Sequence, residues 1–235
     1  MLGVAPEEYR QNGAFAEYVS VPAHVLYAIP ETVSYEHAAL VEPFAVAAHA
    51  LSLTPMELGD TVVVVGAGLI GLCLVQLLAG SQAGDIVAID IDDTRMDLAR
   101  RFGAKYIIKP GDDLGNLLMN ITDGRGADVA FEVVGISDTV DMAVKSTRKG
   151  GTVTLIGNLN PKVDLPLQLV VTRQLRLQGS CAIKGEYSAI LKLMEQKKID
   201  PQALISAVAP LSEGAGWFRR LHDGEPGLNK VILTP

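Results

Sequence analysis

The chain has 235 residues, 49% of them hydrophobic, and a mean hydropathy of +0.27, which supplies a sizeable buried core. Its formal charge of -7 argues against the clustered cationic surface that nucleic acid or an anionic membrane requires, so neither partner is expected. The two cysteines, Cys73 and Cys181, lie far apart with no CxxC spacing, which suggests neither a disulfide framework nor a zinc ribbon and leaves a reducing cytoplasm as the default expectation.

In chain order, MLGVAPEEYRQNG lacks the basic flank and apolar run of a signal peptide, and later apolar runs are too short or too broken to span a bilayer. Residues 14–30, AFAEYVSVPAHVLYAIP, alternate and are rich in β-branched and aromatic types, which predicts short antiparallel strands. Residues 35–53 read as one apolar helix, with Ser34 as its cap and Thr54-Pro55 as its stop. From Gly59 the texture becomes short Val/Ile runs alternating with helical stretches: TVVVVG, DIVAID, YIIK, DVAFEVVG and GGTVTLIG. Continuous runs of this kind imply strands buried on both faces, hence a parallel sheet flanked by helices. LRLQGS at 175–180 predicts a further strand and YSAILKLMEQ a further helix. After Asp200-Pro201 the pattern loosens into a short helical piece, a helix over about Glu213 to His222 and a last strand, KVILT. The fold class is α/β with a doubly wound parallel sheet of the Rossmann type.

The segment VVVVGAGLIGLCLVQLL sets Gly66, Gly68 and Gly71 in the GxGxxG spacing where a strand meets a helix. Gly66 allows the tight turn, Gly68 leaves room for a pyrophosphate, and Gly71 lets the helix pack closely on the strand. Leu69 and Ile70 open the helix, whose N-terminal N–H groups suit phosphate. A second strand, DIVAID, ends in Asp90 about 20 residues on, where a ribose-reading carboxylate belongs. Its charge favours NAD over NADP, and Arg95 is the nearby residue that softens the preference; a helix cap and a solvated charge are the alternative roles of the two. Val133, Val134, Gly135, Gly157, Ser180 and Cys181 sit at later strand ends, where they are candidates to line the nicotinamide side. Both later glycines suit plain strand-to-helix turns equally well.

GAFAEYVSVPAHVLYAIP, Ala-Leu-Val-Glu-Pro at 39–43 and GDTVVVVGAGLIG together resemble the medium-chain zinc-dependent alcohol and polyol dehydrogenases, with the sorbitol, threonine and butanediol dehydrogenase branch as the nearest likeness. DVAFEVVG, GGTVTLIG and GLNKVIL follow in family order. The resemblance implies an NAD-dependent enzyme oxidising a small-molecule alcohol or polyol with zinc as Lewis acid, and a homo-oligomer. It implies three regions: 1–53 as a residue of the catalytic, GroES-like β domain with its linking helix, 54–199 as the NAD-binding Rossmann domain, and 200–235 as a return to the catalytic domain. It also implies that most of the zinc site lies in a segment this chain lacks, since no Cys precedes Cys73 and no His-Glu pair occurs.

Of the family's metal-site positions, Glu42 alone remains. A carboxylate in that apolar helix costs several kcal/mol to bury unless it is paired or ligates a cation, although an exposed or hydrogen-bonded glutamate fits the pattern too. One carboxylate cannot hold zinc. The expectation is therefore a zinc-type dehydrogenase by descent whose cofactor half is present, with a catalytically inactive NAD(H)-binding module or a split subunit as the alternative. His49, seven residues beyond Glu42, is expected as a packed histidine, and Trp217 and Phe218 as core.

Overall fold

A computed structural model describes residues 12–235; the reading of residues 1–11 as free of a leader pattern lies outside the described residues. The elements run, in order, α1 (Tyr35–Ala38), α2 (Val41–Leu53), β1 (Val62–Val65), α3 (Leu69–Ala79), β2 (Ile86–Ile89), α4 (Asp93–Arg101), β3 (Tyr106–Ile108) and α5 (Leu114–Ile121). They continue with β4 (Ala127–Glu132), α6 (Ser137–Ser146), β5 (Thr147–Leu155), α7 (Leu167–Thr172), β6 (Arg176–Gly179), α8 (Tyr187–Glu195), β7 (Ile205–Pro210), α9 (Gly214–His222) and β8 (Lys230–Thr234).

Six strands form one parallel sheet in the order β3-β2-β1-β4-β5-β6. The Val run of β1 explains its central place: Val62 and Val64 face one helical layer while Val63 and Val65 face the other, all four being 0–1% exposed. The first layer packs Phe44, Leu72, Leu74 and Ile190 from α2, α3 and α8; the second packs Leu118, Ala143 and Val144 from α5 and α6. Each large side chain buried in this way contributes roughly 1.5–3 kcal/mol. Strand order reverses between β1 and β4, so the two chains running from these strands diverge and leave a crevice at their carboxyl ends.

Helix starts follow local chemistry. Ser34 accepts from the His37 N–H at 3.2 Å, Asp92 from Arg95 N–H at 3.0 Å and Asp113 from Asn116 N–H at 2.9 Å. The helix expected over 35–53 is two helices. Pro43 has no N–H to give the carbonyl four residues back, and it is tolerated only in the first turn of a new helix, which begins at Val41.

Residues 14–30 are not strands: over 12–34 the regular structure is a single 3₁₀ turn at Ala23–Val25. A strand needs a hydrogen-bonding neighbour, and Pro22 removes one donor, so alternation alone does not produce one here. The loosened stretch after Pro201 holds a strand the periodicity does not predict, β7, which pairs in parallel with β8 in a separate two-stranded sheet. This end is tied to the large sheet by Gln76, whose Nε2 donates to the Asp200 carbonyl at 3.2 Å and whose Oε1 accepts from Asp200 N–H at 2.6 Å. Phe218 is not core: it is 55% exposed and meets Phe15 edge to face at 5.3 Å.

Candidate functional site

The glycine turn occupies the crevice between β1 and β4. Gly66 has φ +101°, and a Cβ there would come within 2.6 Å of Val134 Cγ2. A Cβ on Gly71 would stand 2.0 Å from the Gly66 carbonyl oxygen. Packing therefore accounts for both glycines. Gly68 is different, because it has an ordinary backbone, caps α3, and a Cβ there would meet nothing within 4 Å. Leu69 and Ile70 follow as the half-buried first residues of α3, where N–H groups lack intrahelical acceptors.

Asp90, 8% exposed at the end of β2, clamps this turn. Its Oδ2 accepts from Ala67 N–H at 2.7 Å and its Oδ1 from Asp92 N–H at 3.0 Å. Arg95 approaches Oδ1 at 3.9 Å. Each oxygen keeps a lone pair for a hydroxyl donor. Ile91, next along and beyond the strand, is 78% exposed and offers an apolar surface beside the acid; the motif ends at Asp90 and does not single it out.

On the opposite flank the chain following β4 and the chain following β5 cross in close contact. A Cβ on Gly135 (φ +88°) would lie 2.4 Å from Asn158 N, and one on Gly157 would lie 2.2 Å from Gly135 N. The two glycines thus permit each other. Val133 and Val134 are half-buried beside them, and Ser180 follows β6 with a buried hydroxyl that has no hydrogen-bond partner among the described residues. Cys181 is exposed. The structure brings the glycine turn, Asp90, Val133, Val134, Gly135, Gly157 and Ser180 to one edge of the sheet, the carboxyl edge of β1, β2, β4, β5 and β6.

Glu132, which the sequence reading passed over as one more strand residue, is 0% exposed at the end of β4. Its Oε1 accepts from Val134 N–H at 2.9 Å, Gly135 N–H at 2.8 Å and the Thr139 hydroxyl at 2.8 Å, while Oε2 is buried without a partner among the described residues.

Glu42 is exposed, not buried in its helix, and the cost that argued for a bound cation does not arise. It does lie close enough to α8 to act on Tyr187, whose hydroxyl is pushed up by burial and further by the Glu42 and Tyr27 charges. His49 is buried and its Nδ1 meets Glu186 Oε1 at 2.8 Å. Burial pushes the Glu186 carboxyl up, but the amides of Lys184 and Glu186 and the His49 contact outweigh it and hold the group below the usual carboxylate range. Among the described residues no three His, Cys, Asp or Glu side chains converge as a metal site. These residues therefore do not fit a tetrahedral zinc, which needs three or four protein ligands. They do fit a dinucleotide, through the open cradle at Gly68 and the unmet hydroxyl of Ser180.

The family model described as "Zinc-binding dehydrogenase" matches residues 70–196, over half of the chain. The chain belongs to the zinc-binding dehydrogenase family. It is 30% identical to a D-xylulose reductase of Saccharomyces cerevisiae over 83% of this chain and 56% of that protein. It is also 30% identical to a sorbitol dehydrogenase of Bacillus subtilis over 95% of this chain and 64% of that protein. The chain thus spans a little over half to about two thirds of the length of these curated relatives. Among solved structures, the 2R,3R-butanediol dehydrogenase of Bacillus subtilis superposes with a TM-score of 0.87 at 30% identity, covering 95% of this chain and 65% of that one. An Escherichia coli alcohol dehydrogenase in complex with NADH superposes with a TM-score of 0.87 at 25% identity, covering 96% and 67%. A zinc-binding dehydrogenase of Sinorhizobium meliloti bound to NADP gives 0.86 at 28% identity, covering 96% and 67%.

Proposed function

We propose that this chain forms the cofactor-binding part of an NAD-dependent dehydrogenase acting on a secondary alcohol or polyol. The observation that carries the reading is Gly68: packing dictates Gly66 and Gly71, whereas space for a ligand at a helix N-terminus is what explains a glycine at 68. Gly68, Leu69, Ile70 and Gly71 offer backbone N–H groups to the pyrophosphate, while Gly66, whose own N–H donates to the Ile89 carbonyl at 2.8 Å, makes the tight turn that presents them. Asp90 accepts the ribose hydroxyls and repels a 2'-phosphate, Arg95 moderates that repulsion, and Ile91 gives the adenine an apolar surface. Val133, Val134, Gly135, Gly157 and Ser180 border the nicotinamide half. When bound, the dinucleotide supplies hydride acceptance at its nicotinamide.

The three-region division, with 54–199 as the cofactor unit, belongs to this reading. So does a cytoplasmic location, which the two unpaired cysteines fit, and a homo-oligomer. Glu42 is retained as a position of the family's metal site that needs further ligands from elsewhere. A dinucleotide-binding module that turns nothing over on its own is the second reading, favoured by the lack of a convergent ligand set among the described residues.

Titrating the protein with NADH and NADPH by fluorescence, with zinc content and polyol oxidation measured on the same sample, tests both readings. NADH is expected to bind at least tenfold more tightly than NADPH. Stoichiometric zinc with turnover would overturn the module reading; failure to bind either dinucleotide would overturn both.

A further inference from the structure

A fully buried carboxylate at the tip of a central strand is expensive to keep unless its oxygens are satisfied, and Glu132 satisfies only one of them. No Lys or Arg pairs with it among the described residues. What it does is gather donors. Two backbone N–H groups and one hydroxyl, all from residues 134–139, converge on Oε1 within 2.9 Å. Its own carbonyl accepts from Ile156 N–H at 2.8 Å and Gly157 N–H at 3.0 Å. Glu132 is therefore the point at which the chain after β4 and the chain after β5 are both fastened. Val134, held by this carboxylate, is also the side chain that fills the space beside Gly66.

We infer that Glu132 is a positioning residue for the dinucleotide: it touches no ligand, but fixes the 133–136 loop in the shape that receives the nicotinamide half. The inference rests on the dinucleotide reading above. An apolar side chain of similar size would relieve the unmet Oε2, yet would leave three donors without their common acceptor. Such a carboxylate is retained at some cost to stability for the geometry it imposes.

The geometry predicts a split between the two halves of the ligand. ADP requires the glycine turn and Asp90, which Glu132 does not hold directly, whereas NADH also requires the loop. Glu132→Val is expected to weaken NADH binding at least tenfold and ADP binding less than threefold. Glu132→Gln keeps an acceptor oxygen for the three donors and places an amide where Oε2 stands, so it is expected to restore NADH affinity to within threefold of the parent. Thr139→Val removes one of the three donors to Glu132, along with the hydroxyl's own contacts to the Ile136 N–H and carbonyl; should Glu132→Val fail to fold, it is expected to weaken NADH threefold or more with ADP unchanged. The idea is overturned if folded Glu132→Val binds NADH within threefold of the parent, if both ligands weaken equally, or if Glu132→Gln is as impaired as Glu132→Val. With Glu132→Val unfolded, unchanged NADH affinity in Thr139→Val overturns it as well. A parent protein that binds neither NADH nor ADP refutes the dinucleotide reading instead.

Discussion

Gly68 and Gly71 are three residues apart in one motif, and only the surroundings tell their tasks apart. A methyl at 71 collides with backbone that cannot move without disrupting β1, whereas a methyl at 68 enters open space. Gly71→Ala is therefore expected to cost about 1–3 kcal/mol of stability, the usual penalty for overpacking. Gly68→Ala, which meets no clash, should cost no more than about 1 kcal/mol, the usual penalty for Ala at a helix N-cap, and instead lose NADH affinity. Urea unfolding and an NADH titration on both variants check the contrast; equal loss of stability would contradict it. The spacing of the motif made these glycines and Asp90 legible in the sequence, because each answers a fixed geometric need within some 25 residues. Glu132 was hidden by the opposite circumstance. A single Glu inside DVAFEVVG reads as a strand residue, and nothing local shows that the donors of residues 134, 135 and 139 will fold back onto it. Glu42 misled for a related reason: a helix that is apolar almost all round does not declare which side meets solvent.

At the level of elements, the start of β4 is locked from below as its end is locked from above. Asp128, 6% exposed, accepts from Thr61 N–H at 2.9 Å on the segment leading into β1, and it pairs with Arg148 at the start of β5 and with Arg125 at 3.4 Å. Burial pushes the Asp128 carboxyl up, but the Arg148 hydrogen bond, the Thr61 amide and the two guanidinium charges outweigh it and hold the group below the usual carboxylate range. A carboxyl depressed in the folded state contributes stability above its unfolded pKa of about 3.9 and loses it as pH falls through the folded value. Asp128→Asn is thus expected to destabilise by about 1–3 kcal/mol at pH 7. The gap to the parent should close as pH drops below about 4; denaturant melts at several pH values measure it. Of the elements themselves, those with continuous β-branched runs were plain from sequence. β7 was not, because ISAVAP is short, ends in proline and acquires its identity only from β8, some 20 residues on. The failure at residues 14–30 is the same lesson reversed: an alternating pattern with no partner in the described chain forms no strand.

Over the whole molecule, the described residues leave apolar side chains bare at several places, two of which are clusters. Phe15, Tyr18, Leu26 and Phe218 are 55–91% exposed around the chain ends, and Leu167 and Val171 are 63–65% exposed on α7, in the connection leading into the edge strand β6. Patches of this kind favour association, and a parallel sheet ending in an unpaired strand offers main-chain groups to a second copy. Light scattering over a range of concentrations is expected to give a mass above the 25.0 kDa of one chain; a monomeric mass throughout would count against pairing.

Strand order also bears on how the sheet is put together during synthesis. β1 is made first, β2 and β3 add in turn along one side of it, and β4, β5 and β6 then add in turn along the other. Each newly made strand docks on an edge already standing, and none has to be inserted between two neighbours, so the loop-closing cost is spread over short steps. The direction of growth reverses once, between β3 and β4. The ligand crevice is born at that reversal, when residues 127–132 lie down beside β1, well before the last strands of the chain exist.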